Sequence, residues 1–466
     1  MEILINKESV ERQKYIAREV QKYTSNKKAC VITFGCQQNE NDSERIAGAL
    51  ELCGYEITDD RETADMIIIN TCAIREHAEI RALSEAGQYK NRHFADKNLK
   101  VGLCGCMAQL AHRRDQLKKS YPYVDFVFGT DMIWKLPEIL LKLFETKKHV
   151  VSVTELPHNE FGTIAEGMPV LRDSSYKAWV PVMYGCDNFC SYCVVPYARG
   201  RERSRDKDEV LAEVKSLVGR GYKDITLLGQ NVNSYKGGCD FASLLDECAS
   251  FDGDYRMRFM TSHPKDASDA LINVIAENDK VAKHFHLPVQ SGSDRVLKLM
   301  NRKYTRESYL EKAYKIKEKI KDVSLTTDII VGFPTETEED FEATMSLVRE
   351  VGFDMIYTFI YSPRVGTVAA KMEGQIPREV SNERFKRLTD LENEIAQSYS
   401  DKMIGKTIKV LSDGINKNGA FCGRSSQNKI VTYDSFVPEG TFVNVNIEKA
   451  GAYALDGKIA QTAQNE

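Results

Sequence analysis

Short apolar runs alternate with amphipathic segments over residues 28–150, and this alternation predicts strands and helices in turn. Strands are predicted at 29–34, 66–69, 101–104 and 126–128, and helices at 42–52, 75–89, from about 108 and at 137–144. Continuous apolar strands separated by helices are typical of a parallel sheet covered on both faces. The pattern therefore predicts an α/β domain over 28–150, preceded by an extension, 1–27, to which the sequence assigns no role.

The same alternation resumes at residue 177 and predicts a second domain over 176–404. Six strands are predicted, at 179–183, 225–228, 256–260, 285–289, 325–331 and 355–361. A charged helical segment at 378–403 closes this domain. Six consecutive strand–helix units predict a partial TIM-type barrel, (β/α)6, and not a complete eight-fold one. A stretch that contains Gly and Pro, 151–175, is predicted to link the two domains.

Beyond Gly405 the pattern changes to short alternating segments that are punctuated by Gly, Asn and Asp. Strands are predicted at 407–411, around 421, and at 429–432, 442–447 and 453–459. Short strands of this kind predict a small all-β barrel over 405–466. The predicted fold class is α/β, with three domains in series.

Composition restricts the class of protein. The chain is 42% hydrophobic and 28% charged, and its formal net charge is -4. A uniformly basic surface for nucleic acid is excluded, although a local basic patch remains compatible with these values. The first residues contain no apolar core of signal-peptide length, and no run of about 18 apolar residues occurs. We therefore expect a cytoplasmic chain without membrane attachment.

The chain has twelve cysteines. A disulfide framework explains them poorly in a long chain without a secretion signal, so metal binding or catalysis is the better interpretation. Free cysteines also pack as small apolar residues. This second interpretation is given to five of them, Cys30, Cys53, Cys239, Cys248 and Cys422.

Three cysteines lie close together in YGCDNFCSYC, 184–193, directly after the first strand of the predicted barrel. Cys186, Cys190 and Cys193 have the spacing C-x3-C-x2-C and can hold three corners of a cubane iron–sulfur cluster. The fourth iron would keep an open coordination position, as catalytic metal sites do. The alternative is a structural zinc loop that is completed by a distant Cys or His.

Three further cysteines follow consecutive strands of the first domain. Cys36, Cys72 and Cys106 each come at a predicted strand end, and the carboxyl ends of parallel strands meet at one edge of a sheet. They are predicted to form a second site for a cluster with an open iron. Cys106 is chosen over Cys104 because its Gly-Cys context repeats that of Cys36. The alternative is that all three are separate core thiols.

The C-x3-C-x2-C loop resembles the radical S-adenosylmethionine (SAM) superfamily, and the resemblance covers residues 177–400. The segments LGQN (228–231), HLPVQSGS (286–293) and DIIVGFP (328–334) resemble later parts of its SAM pocket. Glycine in such places permits close backbone approach to a ligand. The residues predicted to contact SAM are Gly229, Gln230, Asn231, Gln290, Ser291, Gly292 and Gly332.

Together, the two cysteine triads resemble the methylthiotransferases. The carrying segments are TFGCQQN (33–39), NTCAIRE (70–76), GCMAQ (105–109) and CVVPYARGRE (193–202), and the last most resembles the tRNA-2-methylthio-N6-dimethylallyladenosine synthase branch. The resemblance implies two 4Fe-4S clusters and SAM as cofactors. One cluster would generate the radical that removes hydrogen from adenine C2. The other would hold the sulfur that accepts a methyl group from SAM.

The resemblance also implies partners. These are a tRNA, bound through its anticodon stem-loop, and an electron donor such as a flavodoxin or ferredoxin; the sulfur donor stays open, and we expect a monomer. Four arginines in 199–205 are predicted phosphate contacts, with a solvated charged face as the alternative. The last barrel resembles a TRAM domain. Its candidate RNA contacts are Phe421, Arg424, Lys429 and Tyr433, although some are equally suited to the barrel core.

The leading interpretation is thus a methylthiotransferase that acts on isopentenylated tRNA adenosine next to the anticodon. Two alternatives keep the chemistry and change the substrate to threonylcarbamoylated tRNA adenosine or to an aspartate of a ribosomal protein. A third alternative is an iron–sulfur protein that binds RNA without catalysis, and the SAM-pocket segments count against it.

Overall fold

The computed structural model of the chain describes residues 7–74, 76–154 and 164–460. The strands of the first domain are β1 (Lys28–Phe34), β2 (Glu56–Ile57), β3 (Met66–Thr71), β4 (Lys100–Gly105), β5 (Phe126–Phe128) and β6 (Val150–Ser152). They form one sheet in the order β2-β1-β3-β4-β5-β6, with every pair parallel. The predicted parallel α/β domain is confirmed.

Helices cover this sheet. They are α1 (Lys7–Thr24), α2 (Gln37–Leu52), α3 (Glu76–Gln88), α4 (Lys90–Ala95), α5 (Cys106–Gln109), α6 (Ala111–Ser120) and α7 (Leu136–Thr146). Helix α1 has a helical stripe of buried positions, which includes Val10, Ala17 and Val20, and these three side chains belong to the core of the first domain. The N-terminal extension therefore contributes to that core, a role that the sequence did not indicate.

The second domain has a partial barrel. Its strands are β7 (Lys177–Pro181), β8 (Met183–Tyr184), β9 (Arg203–Ser204), β10 (Asp224–Leu228), β11 (Arg256–Phe259), β12 (His284–His286), β13 (Ser324–Val331) and β14 (Met355–Ile360). The long strands form two parallel sheets, β11-β10-β7 and β12-β13-β14, and a parallel bridge between Met257 and Val281 lies between them. Strands β8 and β9 pair as a separate antiparallel ribbon. The predicted six-unit barrel is confirmed.

Eight helices of the second domain are described. They are α8 (Val195–Arg199), α9 (Lys207–Gly219), α10 (Phe241–Ala249), α11 (Asp269–Glu277), α12 (Asp294–Leu299), α13 (Arg306–Lys319), α14 (Glu338–Val351) and α15 (Arg378–Asp401). Of the predicted linker, residues 155–163 lie outside the described residues. Ala165 and Met168, which follow, pack into the core of the first domain. Across the described ranges, no helix has the length and apolar character needed to cross a membrane.

The third domain is a closed five-stranded barrel, as predicted. Its strands are β15 (Thr407–Ile415), β16 (Phe421–Ser425), β17 (Ile430–Tyr433), β18 (Phe442–Ala450) and β19 (Ala454–Ile459), in the order β15-β16-β17-β19-β18. The barrel lies against the first residues of the partial-barrel strands. Arg256 donates to the carbonyl of Arg424 at 2.9 Å, and Arg258 donates to that of Ser425 at 2.9 Å. The small barrel thus covers the edge where these strands begin.

We expect Arg258→Met to destabilise this contact strongly. The Arg258 guanidinium is buried and lies 3.0 Å from the Asp224 carboxylate, so its loss leaves a buried charge without a partner, which costs about 3–5 kcal/mol. Differential scanning calorimetry of the full chain should show a lower unfolding midpoint. Lys409→Met is the matched control, because Lys409 pairs with Asp254 across the same interface but both are exposed. Equal midpoints for the two variants would contradict the structural role of Arg258.

Candidate active site

The first cysteine triad lies at one edge of the first-domain sheet. The strand register pairs Phe34 with Thr71 and Thr71 with Gly105. The segments that follow β1, β3 and β4 therefore leave the sheet side by side. Cys36 then caps α2, Cys72 directly follows β3, and Cys106 begins α5. The structure brings these three thiols to one place, as their positions after consecutive strands predict.

Hydrogen-bond donors and one cation surround this triad. The backbone N–H of Ile74 donates to Cys72 Sγ at 3.2 Å, and Arg199 Nε donates to Cys106 Sγ at 3.2 Å. A hydrogen bond with the Cys72 thiol lowers the pKa of Cys36 against the opposing effect of burial, and the Arg199 charge lowers that pKa further. Burial raises the pKa of Cys106, and Arg199 opposes that rise. The Arg199 charge therefore favours the thiolate form of Cys36 and Cys106, the form that metal ligation requires, whereas the hydrogen bond with Cys36 and burial raise the pKa of Cys72.

Cys104 behaves differently from Cys106, although two residues separate them. Its side chain packs with Phe126 and Phe128 in an apolar core, and burial raises its pKa well above the usual value. Residues two apart on a strand share a face, so the difference arises because the strand ends at Gly105, where the turn carries Cys106 to the sheet edge. Gly105 has φ +94°, and a Cβ there would lie 2.4 Å from the Thr71 carbonyl oxygen, so only glycine fits at this turn.

The second cysteine triad lies in the loop that follows β8. Asn188 Nδ2 donates to Cys186 Sγ at 3.4 Å, and Arg302 Nη1 donates to Cys190 Sγ at 3.3 Å. Burial raises the pKa of Cys186 to about 11 and also raises that of Cys193. Phe189 in the same loop has φ +45°, and Asn301 Nδ2 holds its carbonyl at 2.9 Å. The loop is thus fixed by side chains of the same domain.

The two triads lie on either side of a small apolar contact between the domains. Ala73 and Cys106 of the first domain pack with Val194 and Ala198 of the second in one buried cluster. Val194 directly follows Cys193, so this cluster joins the two cysteine sites without an intervening layer. The Arg364 side chain, in the loop after β14, also donates to the Ile74 carbonyl at 2.7 Å. The first domain is therefore held over the carboxyl edge of the partial barrel.

The donor set fits iron–sulfur clusters. Each triad presents three thiols together with N–H donors that are directed at sulfur, and such hydrogen bonds are a feature of cluster sites. Within residues 7–74, 76–154 and 164–460, no three His, Cys, Asp or Glu side chains are arranged to bind a single metal ion. A cubane requires no such arrangement, because each thiolate binds a different iron. Among the described residues, neither triad is completed by the fourth Cys or His ligand that the zinc alternative needs.

The segment after β10 lies beside the second triad. Gln230 Oε1 accepts a hydrogen bond from the backbone N–H of Gly185 at 2.5 Å, one residue before Cys186. Asn231 is buried and donates to Asp266 at 2.9 Å, whereas its Oδ1 has no hydrogen-bond partner among the described residues. A Cβ at Gly229 would lie 2.5 Å from the Met183 side chain. Of this segment, Asn231 offers an unsatisfied polar atom to a ligand.

Four more residues were predicted to contact SAM. Gln290 is buried; its backbone N–H donates to the Asp328 carbonyl at 2.8 Å and its carbonyl accepts from the Ile330 N–H at 3.0 Å, both on β13. The Gly292 N–H donates to Thr344 Oγ1, which also lies 3.4 Å from Ser291 Oγ. The Gly332 N–H donates to Glu336 Oε2 at 2.8 Å. The Ser291, Gly292 and Gly332 groups are thus already engaged within the protein.

The reason for glycine at positions 292 and 332 needs correction. A Cβ at Gly292 would lie 2.5 Å from the Ala343 carbonyl oxygen on α14, and one at Gly332 would lie 2.3 Å from Ser381 Oγ on α15. Close packing of these two helices explains both glycines without a ligand. Contact of these residues with SAM stays a prediction.

The inner face of β12, β13 and β14 carries polar and aromatic side chains that are not among the residues predicted to contact SAM. His286 Nε2 lies 3.5 Å from Asp328 Oδ1, and its ring contacts the edge of Tyr357. Tyr357 and Phe359 alternate with Ile356, which packs in the helix-covered core, so both aromatic side chains face the interior of the open barrel. Both are partly exposed. The alternation of residues along β14 indicates that its two faces differ. It does not indicate which face the helices cover, so the sequence could not assign Tyr357 and Phe359 to the barrel interior.

Two other histidines, His263 and His284, are core residues. His263 accepts a backbone hydrogen bond from Lys265, and burial together with nearby cations lowers its pKa to about 2. His284 lies 3.2 Å from Thr326 Oγ1, and burial lowers its pKa to about 3. Both rings are therefore neutral at physiological pH and satisfied inside the protein.

The prediction that the arginines of 199–205 contact phosphate is wrong for Arg199 and Arg205, which are buried in ion pairs. Arg199 is 4% exposed and pairs with Asp42, while Arg205 is 7% exposed and pairs with Glu166 and Glu213. Arg203 pairs with Asp131. Arg201 is partly exposed and lies over the Phe189 ring at 4.4 Å. The alternative of a solvated face is equally wrong for Arg199 and Arg205, because both guanidinium groups are removed from water and neutralised by carboxylates of the protein.

Two of the four candidate RNA contacts in the last domain are also wrong. Tyr433 is buried in the barrel core and its hydroxyl donates to the Cys422 carbonyl at 2.8 Å. Lys429 pairs with Asp354 of the second domain at 2.8 Å, and both side chains are buried. Arg424 lies near Asp413, and Phe421 contacts Phe436 edge to face. Phe436 is 63% exposed, so this aromatic pair faces solvent.

Models of two protein families match the chain. Residues 28–129 match the "Uncharacterized protein family UPF0004" and residues 180–348 match the "Radical SAM superfamily". Each match contains one cysteine triad. A solved radical S-adenosylmethionine methyltransferase, TsrM from Kitasatospora setae, has a similar structure with a TM-score of 0.55, 12% identity and coverage of 85% of this chain and 84% of that one. At this identity the likeness shows the fold alone.

Full-length relatives are much more similar. A tRNA-2-methylthio-N(6)-dimethylallyladenosine synthase from Thermoanaerobacter pseudethanolicus is 46% identical over 470 residues, which cover 98% of both chains. One of the same name from Clostridium perfringens is 48% identical over 441 residues, covering 93% of this chain and 97% of that one. The cofactors of this family are two 4Fe-4S clusters and SAM, and each cysteine triad fits one cluster. The chain therefore belongs to the tRNA-2-methylthio-N(6)-dimethylallyladenosine synthase family of radical-SAM methylthiotransferases.

Proposed function

We propose that this protein is a tRNA methylthiotransferase, which places a methylthio group on C2 of N6-isopentenyladenosine next to the anticodon. The observation that carries the proposal is the contact between the two cysteine triads through Cys106 and Val194. A reaction that needs a radical and a transferable sulfur at one carbon requires the two sources to lie close together. A single cluster or two distant clusters would not serve it.

The protein's own residues divide the work between the triads. When bound, a four-iron cluster on Cys186, Cys190 and Cys193 supplies the electron that cleaves SAM, and a second cluster on the other triad supplies the sulfur. Asn231 Oδ1, buried without a partner among the described residues, is suited to accept a hydrogen bond from the SAM amino group. Gln230 positions the cluster loop through Gly185. Gly229 and Gln290 complete the proposed wall of this pocket.

The open interior of the partial barrel is the proposed site of the adenine. Tyr357 and Phe359 offer partly exposed aromatic faces there, and stacking on aromatic side chains is the common way in which proteins hold an unpaired RNA base. His286 and Asp328 form the polar floor next to Tyr357. The isopentenyl group, which is apolar, would then lie against Phe359 and be removed from water.

Other aspects of the proposal concern the partners. We infer that a small reducing protein such as a flavodoxin or ferredoxin supplies electrons, that the protein acts as a monomer and that it works in the cytoplasm with its tRNA. The anticodon stem-loop would be the part of the tRNA that enters. The residues other than those of the triads act only in binding and positioning.

The relatives also bear on the alternatives. Those compared above are named as synthases of the 2-methylthio-N(6)-dimethylallyl nucleoside, which favours isopentenylated adenosine over threonylcarbamoylated adenosine or a ribosomal-protein aspartate. A binding protein without catalysis has no need for two cysteine triads in contact. We therefore retain one function.

The test is mass spectrometry of tRNA nucleosides from cells that lack this gene. We expect the 2-methylthio form of isopentenyladenosine to disappear and the unthiolated form to accumulate. Expression of the wild-type chain should restore the product, whereas a Cys106→Ala chain at the same level should not. An unchanged nucleoside profile in the deletion strain would reject the proposed substrate.

A further inference from the structure

A short helix connects the two cysteine sites. Helix α8 begins two residues after Cys193 and ends at Arg199, and the Arg199 side chain crosses into the first domain. Its Nε donates to Cys106 Sγ at 3.2 Å, and its Nη2 donates to Asp42 Oδ2 at 2.7 Å. One guanidinium therefore bridges the segment after one triad and a cysteine of the other.

Asp42 is equally well placed to transmit this contact. It lies on α2, the helix that Cys36 caps, it is buried, and it also accepts from Gln38 Nε2 at 3.3 Å. Arg199 is thereby bound to the elements that present Cys36 and Cys106. These are two of the three cysteines of the first-domain triad, Cys36, Cys72 and Cys106, which is the auxiliary triad. The Asp42 carboxylate offsets the cost of burying the guanidinium, since a buried charge without a partner is strongly destabilising.

Only an arginine side chain can make both contacts. The planar guanidinium presents several N–H groups in fixed directions, whereas a lysine ammonium is a compact charge on a flexible stem. Arg199 uses Nε for the sulfur and Nη2 for the carboxylate. A lysine at this position would keep the charge and lose one of the two directions.

The other triad has its own arginine, and it serves as an internal comparison. Arg302 Nη1 donates to Cys190 Sγ at 3.3 Å, Nη2 donates to the Pro288 carbonyl at 2.9 Å, and Nε donates to Tyr304 Oη at 2.8 Å. All of these partners belong to the second domain. Arg302 and Arg199 thus share a hydrogen bond to a cysteine sulfur, but only Arg199 joins the two domains.

We propose that Arg199 is a positioning residue, which holds the auxiliary triad against the radical-SAM triad and donates a hydrogen bond to the Cys106 sulfur. The proposal deepens the proposed function and rests on it in assuming that each triad holds a cluster. A hydrogen bond to a ligand sulfur stabilises the reduced, more negative state of a cluster and raises its reduction potential. The same side chain therefore influences both the location and the potential of the auxiliary cluster.

The first test measures reduction potentials by redox titration with electron paramagnetic resonance. The auxiliary cluster is isolated in a chain with Cys186, Cys190 and Cys193 changed to Ala, and the radical-SAM cluster in a chain with Cys36, Cys72 and Cys106 changed to Ala. We expect Arg199→Gln to lower the potential of the auxiliary cluster and leave that of the other cluster in place. Arg302→Gln should do the reverse. An auxiliary potential that Arg199→Gln does not move would overturn the proposal.

The second test separates positioning from general damage in the chain with all six cysteines. Arg199→Lys should form 5′-deoxyadenosine but yield at least about tenfold less methylthiolated RNA per 5′-deoxyadenosine, because small displacements of reacting groups cost large factors in rate. Arg302→Lys should lower both products together and leave their ratio near that of the wild type. An unchanged ratio in Arg199→Lys with full iron content would also overturn the proposal. If the wild-type chain modified no RNA, the proposed function would fail while the potentials still tested Arg199.

Discussion

Replacing Cys186, Cys190 and Cys193 together by Ala should abolish SAM cleavage and halve the bound iron. Two four-iron clusters correspond to about eight irons per chain after anaerobic reconstitution, so about four should remain. The loss of cleavage is expected to be complete, because the part of the chain that the structure describes has no other group of His, Cys, Asp or Glu side chains arranged to hold a metal ion. Iron analysis and detection of 5′-deoxyadenosine provide the measurements.

The reciprocal variant makes the assignment of both triads testable. Changing Cys36, Cys72 and Cys106 to Ala should also halve the iron and abolish methylthiolation, while 5′-deoxyadenosine formation persists. Cys104→Ala is the matched control, because Cys104 is a buried thiol two residues from Cys106 that packs in the apolar core. It should retain all the iron. A reciprocal variant with its full complement of iron would show that the auxiliary site is elsewhere.

The isopentenyl group should change the rate by a few hundred-fold. Two anticodon stem-loops, with and without the group, are compared at limiting RNA concentration. Burial contributes roughly 0.8 kcal/mol per CH₂, so five carbons separate the two substrates by about 3–4 kcal/mol, or a few hundred-fold in rate. Initial rates of methylthiolation are the measurement.

Variants locate the pocket that is responsible for this difference. Phe359→Ala should reduce the ratio between the two stem-loops, because Phe359 faces the interior of the partial barrel. Tyr314→Ala is the control: its ring is also exposed, but it lies on the outer helix α13 and its hydroxyl bonds to Glu350. Similar rates on the two stem-loops with the wild-type chain would reject this branch of the family and leave the methylthiotransferase class intact.

The role of the last barrel looks different once its position is known. By sequence it is a separate module, whose removal after Gly405 would weaken RNA binding and spare SAM cleavage. In the structure it supplies carbonyl acceptors for Arg256 and Arg258 and a cation, Lys429, for Asp354. Its deletion would remove these partners from Arg256, Arg258 and Asp354, of which Arg258 keeps the Asp224 carboxylate. We therefore expect the truncated chain to lose stability as well as RNA affinity.

The sequence by itself predicted three regions of different pattern, the six strand–helix units of the partial barrel and the cysteines of both triads. Apolar periodicity is a local property, since the period of 2 or 3.6 residues reports which face of an element is buried. Cys36, Cys72 and Cys106 come just after consecutive parallel strands, which end at one edge of the sheet, and Cys186, Cys190 and Cys193 lie within one loop. Motif spacing and periodicity therefore suffice where the chemistry follows from the order of elements along the chain.

Only the tertiary structure decided which charged side chains are buried and which partners they have. Arg199 resembles a surface phosphate contact in sequence, yet its carboxylate partner, Asp42, is 157 residues away. Lys429 pairs with Asp354 of the second domain. Helix α1 precedes the first domain in the sequence and packs into the core of that domain. The energy of a charge depends on its burial and on its partners, and folding brings those partners near from distant parts of the chain. A run of charged residues in the sequence therefore does not show which groups will face each of them.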